Sequence, residues 1–196
     1  MKNNSTEIIF LLDRSGSMEG LEKDTIDGFN AFLNKQNKLE GETFVTAVLF
    51  DDEYELLWDG VDGTNLRLTE KDYYVRGMTA LLDAIGKTIL NVDYRLSNVS
   101  EYPERVFFVI TTDGLENASR EFSYEKVKNM IERHQRENKW EFIFLGANID
   151  TVSEANQMGI EADDAFNFEA SSTGILEMYD MVNEIVLEKR GGNEGV

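Results

Sequence analysis

The sequence predicts an α/β fold, in which a mostly parallel central sheet has helices on both faces and one antiparallel strand at its edge. Strand-like and helix-like stretches alternate along the chain, which is typical of parallel strands joined by crossover helices. Two of the strand-like stretches, residues 7–12 and 106–112, show no regular polar alternation, as in strands that are covered on both faces. With 196 residues, 41% of them hydrophobic, the chain is long enough to bury one sizeable core. We therefore expect a single domain over residues 1–190.

The elements of the first half are assigned from the spacing of their apolar residues. They are a strand at residues 7–13, a helix at 18–38, a strand at 43–50 and a strand at 54–58. The last two strands are predicted to form an edge hairpin, in which Glu55 and the acidic turn Asp51–Glu53 discourage pairing with another chain. The stretch D-G-V-D-G at residues 59–63 is predicted to be a turn, because it lacks the regular oxygen spacing of a calcium-binding EF-hand loop.

The second half continues the alternation of helices and strands. It is predicted to contain a helix at residues 79–92, a strand at 106–112, a helix at 124–138, a strand at 140–146, a short helix at 151–158, a short strand at 165–168 and a helix at 172–189. The single histidine, His134, lies on the apolar face of its helix and is interpreted as a core residue. The glycine-rich end, residues 191–196, is expected to be a disordered tail.

Composition limits the classes of function. The 38 acidic residues outnumber the 19 basic ones, and the net charge of −19 repels phosphate backbones and anionic lipids, so neither nucleic acid nor a membrane is expected as a partner. The absence of cysteine and the single histidine exclude disulfides, thiolate metal sites and multi-histidine zinc sites. The sequence shows neither a secretion signal nor a run of apolar residues long enough to span a membrane, which predicts a cytoplasmic location.

Polar oxygens follow directly after the first buried strand. Asp13, Ser15 and Ser17 are spaced so that a tight loop through Gly16 turns several oxygens toward one point. The second buried strand also stops at an aspartate, Asp113. If the two strands are neighbours in the sheet, both carboxylates meet at one edge. Since all of these ligands are hard oxygens, Mg²⁺ is the first candidate cation, with Mn²⁺ or Ca²⁺ as alternatives.

The segment D-R-S-G-S resembles the D-x-S-x-S signature of the von Willebrand factor type A (VWA) domain family. Two further segments agree with that family in order and spacing: R-G-M-T-A-L-L-D-A-I supplies its threonine, Thr79, and F-F-V-I-T-T-D-G supplies its second aspartate, Asp113. The resemblance covers residues 7–190 and is to bacterial-type stand-alone domains with a metal-ion-dependent adhesion site. The family often has two glycines before the threonine, whereas here Gly77 is followed by Met78.

The resemblance implies a Rossmann-like, three-layer fold with the metal at the upper edge of the sheet. It also implies that hydroxyl oxygens of Ser15, Ser17 and Thr79 bind the metal directly, while Asp13 and Asp113 hold it through waters or hydrogen bonds. Four residues are expected to support these loops: Gly16, Gly77, Asp83 and Gly114. Without the resemblance, Thr79 would be interpreted as a helix N-cap and Asp83 as a surface charge.

A site of this kind predicts a protein-binding domain rather than an enzyme. The nearly neutral hydroxyl ligands leave a divalent cation attractive to the Asp or Glu of a protein partner. One alternative is a Mg²⁺-dependent phosphohydrolase of the haloacid dehalogenase type, but that chemistry needs a second carboxylate two positions after the first, where this chain has Ser15. Another is a subunit that docks onto an ATPase or chelatase-type assembly, which differs from the favoured interpretation only in its partner. The sequence does not predict the oligomeric state.

Overall fold

The computed structural model describes residues 4–191 and is built on one six-stranded sheet. The strands are β1 (Ser5–Asp13), β2 (Glu42–Phe50), β3 (Tyr54–Asp62), β4 (Arg105–Thr112), β5 (Glu141–Gly146) and β6 (Ala165–Asn167). The helices are α1 (Glu22–Gln36), α2 (Leu81–Leu96), α3 (Tyr124–Glu137), α4 (Thr151–Gln157) and α5 (Ser172–Gly191). Within this part of the chain, no helix is both long and apolar enough to cross a membrane.

The strand order is β3-β2-β1-β4-β5-β6, and every neighbouring pair is parallel except β2 with β3. The predicted α/β class, with one antiparallel strand at the edge, is therefore confirmed. From β1 the chain builds the sheet toward β3, whereas from β4 it builds toward β6. The strand order thus reverses between β1 and β4, and the carboxyl ends of these two strands border the crevice where open sheets of this type bind ligands.

Helices cover both faces of the sheet, as predicted. The helices α2, α3 and α4 pack on one face, where Ile9 and Leu11 of β1 point. The helices α1 and α5 pack on the other face against Ile8, Phe10 and Leu12. All five of these side chains have no exposed surface. Burial on both sides explains why β1 is continuously apolar rather than alternating.

Two helices begin later than the sequence suggests. The predicted helix 18–38 is α1 preceded by a short 3-10 turn, Gly16–Met18, because Gly20 has a φ of +87° that an α-helix does not accommodate. The predicted helix 79–92 begins at Leu81, which leaves Thr79 in the preceding loop. In a helix that included Thr79, the N–H of Asp83 would donate to the carbonyl of Thr79. It donates instead to Ser119 Oγ at 2.9 Å.

The predicted turn at residues 59–63 is largely wrong, because β3 continues to Asp62. Arg95 of α2 lies over this part of the strand, and its Nε is 2.8 Å from an Asp59 carboxylate oxygen. The N–H of Gly60 donates to Thr46 Oγ1 at 2.9 Å, and a Cβ atom at Gly60 would collide with the Arg95 guanidinium. Cross-strand and helix contacts, which local sequence does not reveal, thus extend the hairpin.

The C-terminal helix also extends further than predicted. Gly191, assigned to the disordered tail, is the last residue of α5. The remainder of the predicted tail, residues 192–196, lies outside the described part of the chain. Other predicted elements agree with the observed ones to within a few residues at each end, which is the usual uncertainty of helix and strand boundaries.

Candidate metal centre

Asp13 is the last residue of β1 and has only 1% of its surface exposed. Its carboxylate accepts hydrogen bonds from the backbone N–H of Ser15 and from the hydroxyl of Thr112, both at 2.7 Å. The hydroxyl of Tyr73 donates to its carbonyl oxygen at 2.6 Å. Burial raises the pKa of Asp13 to about 6, although the hydrogen bonds from Ser15 and Thr112 act in the opposite direction. Asp13 therefore fixes the loop after β1 while carrying a charge whose burial is costly.

The hydroxyls of Ser15 and Ser17 lie together beside Asp113. Their Oγ atoms are 3.1 Å apart, and Ser17 Oγ donates a hydrogen bond to Asp113 Oδ1. Asp113 directly follows β4 and is 2% exposed, and its other carboxylate oxygen, Oδ2, is buried without a hydrogen-bond partner. Burial raises the pKa of Asp113 as well. Because a buried carboxylate oxygen without a donor is unfavourable, this corner of the protein suits a positively charged ligand.

Thr79 reaches the same point from the loop before α2. Its backbone N–H donates to Asn117 Oδ1 at 2.9 Å, and its carbonyl accepts a hydrogen bond from the N–H of Asn117 at 3.0 Å. A Cβ atom at Gly114 would lie 3.7 Å from both Ser17 Oγ and Thr79 Oγ1. Hydroxyls from two different loops therefore converge on the residue that follows Asp113.

The structure thus brings together all five side chains predicted as metal ligands, namely Asp13, Ser15, Ser17, Thr79 and Asp113. They offer three neutral hydroxyls and two carboxylates, which is a set of hard oxygens suited to a hard divalent cation. Among the described residues, no group of three or more His, Cys, Asp or Glu side chains is arranged to hold a metal ion. A cation bound at this site would therefore depend on the hydroxyls as well as on the carboxylates.

The comparison with known proteins agrees with this architecture at the level of the fold. No protein-family model matches the sequence, and no curated protein matches it. The von Willebrand factor domain of the type V pili tip protein Mfa5 from Porphyromonas gingivalis has a TM-score of 0.70 at 12% identity, over 98% of this chain and 97% of that one. The chain has the von Willebrand factor type A fold.

Two further type A domain structures belong to longer chains. One is proximal thread matrix protein 1 from the mussel byssus, whose structure has a zinc-occupied metal-ion-dependent adhesion site (MIDAS) motif. Its TM-score is 0.65 at 15% identity, over 92% of this chain and 45% of that one. The ArnB paralog VWA2 from Sulfolobus acidocaldarius has a TM-score of 0.60 at 19% identity, over 93% of this chain and 45% of that one. This chain therefore matches less than half of either of those chains, and at these identities the likeness concerns the fold.

Two carboxylates hold the loop that follows Asp113. Asp83 accepts hydrogen bonds from the backbone N–H groups of residues 120–122, each at 2.9 Å. Although burial opposes it, these hydrogen bonds keep the pKa of Asp83 below its ordinary value. Glu116 accepts a hydrogen bond from the N–H of Leu82 at 2.9 Å, in the first turn of α2. The loop after β4 is thus attached to the start of the helix that follows Thr79.

Glycine is required at position 77, in the loop before α2 that carries Thr79 (the threonine loop). Its φ is +66°, and a Cβ atom there would collide with Asp52 Oδ1. Its carbonyl accepts a hydrogen bond from the N–H of Gly16 at 3.2 Å. This bond connects the threonine loop to the loop after β1 that carries Ser15 and Ser17 (the serine loop). A Cβ atom at Gly16 would lie 3.6 Å from that carbonyl, an ordinary contact, so the close approach alone does not demand glycine at position 16.

The Arg14–Asp51–Arg76 cluster joins three loops beside the candidate site. The Arg14 side chain is fully buried, with Nη1 2.6 Å from a Glu55 carboxylate oxygen and Nε 3.4 Å from Asp51 Oδ2. Arg76 Nε is 2.6 Å from the same oxygen of Asp51. The two guanidinium groups lie 5.4 and 5.7 Å from the ring centroid of Tyr74. The expectation that Glu55 serves mainly to discourage edge pairing is therefore incomplete, because it also neutralises a buried arginine.

Sequence reasoning missed the residues that hold the five candidate ligands in place: Arg14, Asp51, Tyr73, Arg76, Thr112, Glu116 and Asn117. Arg14 occupies a variable position of the D-x-S-x-S motif, so the motif gives it no role. Asn117 and Glu116 follow Asp113 closely, but no rule of spacing identifies them. An arginine directly after a buried strand was the one usable signal, since a buried guanidinium requires acidic partners.

Proposed function

We propose that this type A domain is a divalent-cation-dependent protein-binding domain, of the adhesion or scaffold type, that captures an acidic residue of a partner protein. The observation that supports this most directly is the cluster of neutral hydroxyls beside Asp113 Oδ2, a buried oxygen without a hydrogen-bond partner. The zinc-occupied MIDAS motif of the similar byssus protein supports divalent-metal binding in a general way. Mg²⁺ is the cation that we propose for this chain, with Mn²⁺ or Ca²⁺ as alternatives.

The five side chains have different roles in this proposal. Ser15, Ser17 and Thr79 offer hydroxyl oxygens to the cation. Both carboxylate oxygens of Asp13 accept hydrogen bonds, one from Ser15 and one from Thr112, so Asp13 orients the serine loop. Its negative charge would attract the cation without direct contact. Asp113 accepts the Ser17 hydrogen bond, and its other carboxylate oxygen, which has no hydrogen-bond partner, would be available to the cation. A cation held by these residues would supply positive charge that attracts an outside carboxylate.

The charge of the whole protein restricts the partner. A net charge of −19 slows the approach of a strongly acidic surface and repels nucleic acid. A partner that presents a single Asp or Glu within a basic or neutral surface satisfies both this field and the cation. We therefore propose a protein partner of that kind.

No observation favours the two alternatives. A phosphohydrolase needs an accessible nucleophilic aspartate, whereas the Asp13 carboxylate is buried and already accepts two hydrogen bonds. A subunit of an ATPase or chelatase-type assembly would use the same site, and it differs from our proposal only in the identity of the partner.

Titration calorimetry with Mg²⁺ tests the site. The unchanged protein is expected to bind one Mg²⁺, and Asp13→Ala and Ser15→Ala are each expected to weaken binding by about tenfold to a hundredfold. Ser97→Ala, at the exposed C-terminal end of α2, is the matched control and should bind as the unchanged protein does. Equal binding by all four proteins would show that the metal site is wrongly assigned.

The partner is tested by purifying bound proteins in the presence of Mg²⁺ and eluting them with a chelator. Thr79→Ala is expected to weaken partner retention more than it weakens Mg²⁺ binding, because Ser15 and Ser17 would still offer their hydroxyl oxygens to the cation. A partner that stays bound after chelation would contact another face of the domain.

A further inference from the structure

Two large apolar side chains are exposed next to the candidate metal centre, one on each of two adjoining loops. Met78 directly precedes Thr79 and is 52% exposed, and Leu115 directly follows Gly114 and is 60% exposed. The loops meet between them, since a Cβ atom at Gly114 would lie 3.7 Å from Thr79 Oγ1. Single exposed apolar residues are common on protein surfaces, but these two directly adjoin Thr79 and Gly114 of the candidate site in the chain.

Hydrogen bonds hold the backbone of both loops that carry these side chains. The N–H of Met78 donates to Asp52 Oδ1 at 3.1 Å, while Thr79 is bonded to Asn117 through both its N–H and its carbonyl. On the other loop, Glu116 accepts hydrogen bonds from three backbone N–H groups and a hydroxyl. The two apolar side chains are therefore presented on preorganised loops, which lowers the entropic cost of using them to bind a ligand.

A carboxylate lies beside each of these side chains, whereas the nearby guanidinium of Arg76 is already paired with Asp51 and Glu53. Asp52 adjoins Met78, and Glu116 adjoins Leu115 in the chain, so each apolar residue has a carboxylate next to it. A ligand that covers the apolar residues must therefore bring its own acidic group to the cation without a second acidic group beside it, since a second one would face Asp52 or Glu116.

We propose that the domain recognises an extended protein segment with one Asp or Glu directly beside an apolar side chain and no second acidic residue nearby. This inference rests on the proposed function. The acidic residue binds at the metal centre, and its apolar neighbour packs on Met78 and Leu115. Because methionine is unbranched and adapts its shape, Leu, Ile, Met and Phe are all accepted at the neighbouring position, so the selection is for apolar character rather than for one shape.

A displayed peptide library with one fixed aspartate between randomised positions is the probe. It is selected on the Mg²⁺-loaded protein, and bound peptides are eluted with a chelator. The eluted peptides are expected to be enriched in apolar residues beside the aspartate and depleted of further Asp and Glu. Met78→Gln and Leu115→Asn should each weaken the affinity of a selected peptide by about fivefold, which corresponds to burying roughly half of one apolar side chain.

Two controls separate recognition from folding and from metal binding. Leu90→Asn removes a leucine of α2 that is 54% exposed but lies about 13 Å along the helix from its start, and it should leave peptide affinity unchanged. All variants should bind Mg²⁺ as the unchanged protein does. Chelator-eluted peptides without an apolar preference, or with affinity unaffected by Met78→Gln and Leu115→Asn together, would overturn this inference and leave the proposed function standing. If no peptide depends on Mg²⁺, the proposed function fails and this inference fails with it.

Discussion

At the residue scale, Asp13 combines nearly complete burial with a negative charge. Its pKa in the metal-free protein is about 6 instead of the ordinary 3.8, because burial disfavours the ionised form. At about 1.4 kcal/mol per pKa unit, keeping this carboxylate ionised costs the metal-free fold roughly 3 kcal/mol. The sign follows from the raised pKa: this cost is absent below pH 3.8, grows as the pH rises toward 6, and is complete above that. A bound cation would remove much of it.

The first prediction is that Mg²⁺ affinity depends on pH in this range. Protons and the cation compete for the same buried charge, so affinity should fall by about tenfold between pH 7 and pH 5 for a group with a pKa of about 6. Calorimetric titration at the two pH values measures this change. Asp13→Asn, which has no proton to lose, should bind more weakly and with a smaller dependence on pH. The same affinity at both pH values would contradict the assigned role of Asp13.

A second prediction concerns Gly77. Gly77→Ala places a Cβ atom against Asp52 Oδ1 at a φ of +66°, so it should lower the free energy of unfolding by more than the roughly 1 kcal/mol that a left-handed conformation alone costs. It should also weaken Mg²⁺ binding, because the loop that carries Thr79 must shift.

The matched control is Gly20→Ala. Gly20 also has a positive φ, of +87°, but a Cβ atom there would meet nothing within 4 Å. Urea denaturation of both variants separates the two effects, and equal losses of stability would show that the contact with Asp52 carries no cost.

At the element scale, the candidate site depends on how three loops are joined rather than on any single loop. The Arg14–Asp51–Arg76 cluster joins the serine loop after β1, the turn between β2 and β3, and the threonine loop before α2. The N–H of Ala80 also donates to the carbonyl of Asp51 at 2.8 Å, directly after Thr79. Arg76 therefore acts on the threonine hydroxyl through the position of its loop.

The third prediction is that Arg76→Met weakens Mg²⁺ binding by a few-fold only when Thr79 is present. Arg76 is partly exposed, so its ion pair with Asp51 is worth about 1 kcal/mol or less, and Asp51 keeps its contact with Arg14 after the change. In the Thr79→Ala background, the same substitution should have no further effect on Mg²⁺ affinity. Titration of the four proteins completes the cycle.

Arg133→Met is the control for the loss of an exposed arginine, since Arg133 pairs with Glu137 on α3. If Arg76→Met weakens Mg²⁺ binding equally with and without the Thr79 hydroxyl, the cluster does not act through that residue.

At the scale of the whole molecule, the excess of acidic residues opposes compaction. With 38 acidic and 19 basic residues, repulsion between like charges exceeds the attraction available from surface ion pairs. The fold nevertheless buries two carboxylates at the candidate site, and both have a raised pKa. Ions should therefore stabilise this protein in two ways, through general screening and through binding at one site.

The fourth prediction separates these two effects. Sodium chloride should raise the melting temperature by screening the net charge, and magnesium chloride at equal ionic strength should raise it further by binding to the native state. The additional increase should be lost in Ser15→Ala, whereas the sodium chloride effect should remain. Scanning calorimetry measures both, and the same additional increase in Ser15→Ala would assign it to the acidic surface rather than to the site.

The local sequence by itself was sufficient to predict the layered α/β fold. The continuous apolar run of β1 predicts a strand that is covered on both faces, and the spacing of apolar residues in α2 predicts a helix with one buried side. These patterns depend only on residues that are close in the chain. The same is true of the D-R-S-G-S segment, in which hydroxyls two residues apart follow the end of a strand. Asp13, Ser15, Ser17 and Asp113 could thus be predicted from the ends of two buried strands, whereas Thr79 was assigned only through the resemblance to the VWA family; metal binding by all five stays a prediction.

Only the tertiary structure decided which strands are neighbours and what holds the candidate ligands. Thr79 lies outside α2 because its partner is Asn117, 38 residues away in the chain, and Arg14 is buried because Glu55, 41 residues away, neutralises it. Local periodicity contains no information about partners at such distances. They are fixed by the sheet order, which places the ends of β1 and β4 side by side and brings the turn after β2 against the threonine loop.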